Sequence, residues 1–158
     1  MNPTRRDVLV TIAALAAPLP AAAEPAFLAA AELAFLTAIA DAIIPRTDTP
    51  GASDAGVPAA IDRRLAASAP LAERFRVGMG AIDHDAQARF GKGFAELTAP
   101  QQAELLTPRV DDPFFRMMKG LTVDAFYASK EGLAGELGWH GNTFLAEFKG
   151  CTHPEHQR

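Results

Sequence analysis

From Phe27 to Ile44 the apolar residues recur at helical spacing. Leu28, Phe35, Leu36, Ile39, Ile43 and Ile44 fall on one face, with Leu33 on its flank. Pro45 closes this predicted helix, because the residue before a proline avoids the helical region. Asp41 interrupts the stripe and reads either as a flank position or as a buried acid bonded to the loop beyond Pro45. Residues 46–56 carry the turn signals Pro50-Gly51 and Ala55-Gly56 and predict a loop. A second helix opens at Val57 or Pro58 and runs to about Ala69, since proline suits the first turn. Ile61 and Leu65 point inward from it, and Asp62, Arg63 and Arg64 are expected to face outward.

Pro70 opens a third predicted helix that reaches Phe90, with Leu71, Phe75, Met79, Ile82 and Phe90 as its stripe. Gly78 and Gly80 weaken it and predict a kink or a close helix contact. Gly91-Lys92-Gly93 ends it. Thr98 and Gln101 have capping-box spacing and Pro100 fits a first turn, so a short fourth helix runs to about Thr107. After a turn at 108–113, Phe114, Met117, Met118, Leu121, Val123, Ala125 and Phe126 give a fifth helix ending near Ser129. From Lys130 the texture changes: Gly132, Gly135, Gly138, Gly141 and Gly150 interrupt a segment that still carries Trp139, Phe144, Leu145 and Phe148. Such a tail must cover its rings by wrapping the helices or by docking on another protein. The expected architecture is all-α: a small orthogonal bundle of about five helices with an irregular glycine-rich C-terminal tail over 130–158.

Composition agrees with a single folded domain. The chain has 158 residues, 49% hydrophobic and 22% charged, and alanine dominates the apolar set, which favours helix. A net charge of −4, with no basic block outside the N-terminus, argues against a nucleic-acid partner. At the N-terminus, Arg5-Arg6 precede an apolar run from Val10 to Pro20 and the small residues Ala21-Ala22-Ala23. A charged head, an apolar middle and an A-x-A end make a secretory signal, and the arginine pair points to the twin-arginine (Tat) route. The expected organisation is a signal peptide over 1–23 and a helical domain over 24–158. A retained N-terminal anchor is the alternative, but the run is short for a bilayer crossing. The Tat translocase carries folded proteins, yet the chain shows no glycine-rich dinucleotide loop and no C-x-x-C or C-x-x-C-H motif. A folded-export signal on a chain without a cofactor motif suggests an escort for a partner that holds the cofactor.

Candidate chemistry is thin. Cys151, His153, Glu155 and His156 lie within six residues and are all ligand types for zinc or another transition metal. That cluster, with His140 in possible support, makes a stand-alone periplasmic metal-binding protein the alternative function. A polar exposed end is the plainer reading, and Cys151 could also form a disulfide with a partner chain in an oxidising compartment. A Cys151–His153 nucleophile pair would lack a rigid scaffold. Asp83-His84-Asp85 on the third helix is expected to be a solvated face, because neighbouring helix positions diverge. The Met117, Met118, Phe114 and Phe115 group reads as core.

Several segments together resemble one family. Leu36-Thr-Ala-Ile-Ala-Asp-Ala-Ile-Ile-Pro45, the following Thr-Pro-Gly-Ala-Ser-Asp-Ala-Gly-Val57 with Ile61-Asp62, and Phe94 through Leu106 are similar to the gluconate 2-dehydrogenase subunit 3 family. The 114–127 helix, Leu137-Gly-Trp-His-Gly-Asn142 and Phe148-Lys-Gly150 continue the likeness over most of 27–151. The resemblance implies a non-catalytic small subunit, exported to the periplasm and associated with the inner membrane only through its complex. It implies an FAD-containing catalytic subunit of the glucose–methanol–choline (GMC) type and a cytochrome c subunit with haem c as partners. No cofactor and no catalytic residue is expected in this chain. The partner-docking candidates are Trp139, Phe144, Phe148 and Cys151.

Overall fold

A computed structural model describes residues 27–139 and Gly141. Among them there is no strand, and five α-helices carry the fold: α1 (Ala30–Ile43), α2 (Val57–Ala66), α3 (Ala69–Phe90), α4 (Ala99–Leu106) and α5 (Pro113–Tyr127). Each falls within a few residues of the stretch its apolar spacing marks. Single 3-10 turns occupy Phe94–Glu96 and Thr107–Arg109, and a π-type turn occupies Glu131–Glu136. The signal segment, residues 1–23, lies outside the described residues.

The core grows from the stripe of α1. Phe35, Leu36, Ile39 and Ala40 are buried and meet Ile61 and Leu65 of α2, Phe75 and Ile82 of α3, and Met118 and Phe126 of α5. Four rings run through it in a row. Phe94 lies 5.2 Å from Phe35, Phe35 meets Phe75 edge-on at 6.1 Å, and Phe75 lies 6.4 Å from Phe114. Such pairs contribute about 0.5–1.5 kcal/mol each beyond the area they bury. Gly78 explains how Phe114 comes so close: a Cβ there would sit inside the Phe114 ring. Of the two outcomes expected at Gly78 and Gly80, the close helix contact is the one found, and it belongs to Gly78 alone.

The loop after Pro45 is tied to α1 from both sides. Asp41 is half-buried and its carboxylate accepts from the Ser53 amide at 2.8 Å, while the Ala52 amide donates to the Ile44 carbonyl at 3.0 Å. Asp54 pairs with Arg46 and also accepts from the Gly51 amide at 2.9 Å. Gly56 turns into α2 with φ at 69°, and Gly91 ends α3 with φ at 68°, both in the left-handed region where a side chain is strained.

Two sequence expectations are corrected. Asp62 does not face outward with Arg63 and Arg64; it is buried, 7% exposed, and its two oxygens accept from the Phe27 and Leu28 amides at 2.9 and 2.8 Å. The 83–85 triplet is not simply a solvated face. Asp83 accepts from the Phe94 amide at 2.8 Å and so anchors the 3-10 turn after α3, and Asp85 pairs with Arg109; His84 between them is exposed. The segment after Ser129 leaves the α pattern, as its glycines predict. In the π turn the Leu137 amide reaches the Gly132 carbonyl at 3.1 Å. Gly132 is packed against the Phe126 carbonyl where no Cβ fits.

Candidate functional site

A concave surface lies where the middle of α3 meets the start of α5. Asp112 caps α5, accepting from the Phe114 amide at 2.7 Å and the Phe115 amide at 3.4 Å, and Pro113 takes the first helical position. This fixes the direction in which Phe114 and Phe115 leave the backbone. Facing them, Val77 and Gly78 of α3 form the opposite wall, and Met117 closes the end. The cavity is about 530 Å³, within the range of small-ligand and side-chain pockets.

Its charged rim is largely engaged. Arg109 is held by Asp85, and Asp112 is committed to its cap, which leaves Glu73 and Arg74 at the edge. Among the described residues that line it there is no Cys, His, Ser or Thr, and the walls offer apolar contact. A second groove of about 700 Å³ adjoins it between the end of α1 and α4, and Phe115 is shared by both. Val77 beside the first groove and Val110 beside the second are 66% and 55% exposed.

Titrating groups with shifted ionisation lie away from the Phe114 groove, and of them only Arg46 borders the adjoining one. Glu32 is held below the ordinary carboxylate range, first by the hydrogen bond from Arg76 at 2.7 Å and then by the Ala29 amide. Asp54 is lowered by Arg46 and then by the Gly51 amide, and both arginines are raised in return. These ties fix chain segments: Glu32 with Arg76 joins α1 to α3, and Arg46 with Asp54 holds the loop after α1, where both border a surface hollow with Asp48 and Glu131. Thr122 is a buried polar residue whose hydroxyl has no partner among the described residues, but it sits inside the core.

Of the docking candidates, Trp139 lies just past the π turn, 47% exposed, with Leu137 at 61% beside it in sequence. Its amide donates to the Leu133 carbonyl at 2.9 Å. Phe144, Phe148 and Cys151 lie outside the described residues, as do His140, His153, Glu155, His156, Arg5 and Arg6. Among the described residues no three His, Cys, Asp or Glu side chains are grouped to hold a metal ion, and no helix is long and apolar enough to cross a membrane. Sequence reading did not find the groove, because its two walls are 35 or so positions apart and each wall alone looks like core. The paired Phe114-Phe115 after a capping Asp-Pro was the available signal.

No curated protein and no solved structure matches the chain. The family model described as gluconate 2-dehydrogenase subunit 3 matches residues 30–144, a span that takes in all five helices, the groove and the π turn. On that match the chain belongs to the gluconate 2-dehydrogenase subunit 3 family.

Proposed function

We propose that this chain is the non-catalytic small subunit of a periplasmic FAD-dependent dehydrogenase complex and escorts the flavoprotein during maturation and Tat export. Family membership implies a subunit of a gluconate 2-dehydrogenase-type complex, and that match carries the reading. The partner is a flavoprotein of the GMC type that oxidises a sugar, sugar acid or alcohol, and a cytochrome c subunit accepts its electrons. The Arg5-Arg6 signal supports the export role. The groove lining supports a docking role, since apolar walls with an aromatic floor suit a protein side chain better than a reacting substrate. The exposed Trp139 and Leu137 add a second apolar surface.

The test is co-expression of the flavoprotein with and without this chain, followed by fractionation. Flavoprotein in the periplasm, active and FAD-loaded, only when the chain is present is the expected result. Equal export and activity in both strains would sink the proposal.

A further inference from the structure

Trp139 is the chain's single tryptophan and stands just past the π turn of Glu131–Glu136. π turns are rare and occur mostly at functional sites. The cause of this one lies at the Phe126 carbonyl, at the end of α5. That oxygen accepts from the Ser129 amide at 2.9 Å and from the Ser129 hydroxyl at 2.6 Å, and the same hydroxyl accepts from the Gly132 amide at 3.1 Å. Gly132 closes on this pivot so tightly that a Cβ would overlap the oxygen. The chain then widens. The Leu137 amide reaches back to the Gly132 carbonyl at 3.1 Å, and the Trp139 amide to the Leu133 carbonyl at 2.9 Å. Between these two donors Gly138 takes a φ of 63°, in the left-handed region that a side chain avoids.

Both ends of the turn therefore depend on a glycine, for different reasons. Gly132 is needed for space and Gly138 for conformation; a Cβ at Gly138, or at Gly135 between them, would meet nothing. The Trp139 backbone is fixed by its hydrogen bond, while the residue stays exposed. A large ring on a chain already ordered binds at lower entropic cost than one on a loose end, and tryptophan is enriched among the residues that carry binding energy. We propose that the π turn is a locked joint: Gly132 and Gly138 set the place at which Trp139 stands on the surface, so that the ring meets the flavoprotein already ordered. The meeting with the flavoprotein rests on the docking role proposed above, whereas the joint rests on the backbone geometry alone.

Acrylamide quenching of Trp139 emission in the purified full-length chain reads the joint directly. Gly138→Val is strained at its φ but free of clash. It should raise the quenching constant about two-fold, as the residue goes from 47% exposure towards full exposure, with an unchanged circular dichroism melt of the bundle. Gly132→Ala should do the same; if it fails to fold, Gly138→Val decides alone. Gly135→Ala is the control and should leave the emission as it is. An unchanged constant in Gly138→Val overturns the joint, and so does an equal rise in Gly135→Ala. Capture of the flavoprotein is then measured with the same chains. Gly138→Val should capture it about ten-fold more weakly, with Gly135→Ala unaffected. Quenching that rises while capture stays at the unaltered level overturns the presentation of the ring. Failure of the unaltered chain to capture the flavoprotein overturns the docking role instead, and the quenching result still decides the joint.

Discussion

Two glycines two positions apart in α3 show how far a residue's meaning depends on what faces it. Gly78 is pressed against the Phe114 ring, whereas a Cβ at Gly80 would meet nothing. Gly80→Ala should therefore stabilise the protein by up to about 1 kcal/mol through helix propensity. Gly78→Ala should destabilise it by about 1–3 kcal/mol, because a methyl must displace a packed ring. Urea unfolding of the two variants gives opposite shifts in midpoint if this is right. The sequence marks both positions alike, and only the fold separates them. Thr122 offers a second contrast. Its buried hydroxyl lacks a partner among the described residues, so Thr122→Val removes an unsatisfied group and keeps the branched shape. The expected result is unchanged or higher stability, by up to about 1 kcal/mol, in the same measurement.

At the scale of elements, the chain was largely legible. The stripe of α1, the proline at the head of α2, and the left-handed glycine that ends α3 all act locally, and spacing and turn chemistry report local causes well. The errors share one origin. Asp62 and Asp83 both look like outward-facing acids on amphipathic helices, yet each is used by main-chain amides of a different segment. Helical spacing tells which way a residue points, not what another part of the chain brings to it. The groove was hidden for the same reason, since its walls meet only when α3 and α5 pack. Asp112 is the element-scale lever on that wall. Asp112→Ala should cost about 1 kcal/mol as a lost N-cap. Amide exchange should rise in the first turn of α5 while α1 and α2 stay protected.

For the molecule as a whole, the acid side of its stability curve follows from two carboxylates. Glu32 and Asp54 have folded pKa values below their ordinary ones of 4.5 and 3.8. The unfolded chain therefore binds protons more readily, and stability rises with pH across this window. The contribution is complete above the ordinary values and is lost as the pH falls through them toward the lowered folded values. Urea midpoints taken from about pH 6 down to about pH 3 should fall, and a Glu32→Gln, Asp54→Asn double variant should show a shallower fall. Because the arginine of each pair is exposed, added salt should flatten the profile as well.

The row of rings from Phe94 through Phe35 and Phe75 to Phe114 has one more implication. Its outermost member is also a wall of the groove, so that wall cannot give way without disturbing the interior. A visitor to this surface meets a mould already set. Whatever settles there must arrive with the complementary outline, and adaptation, where it is needed, has to come from the visitor.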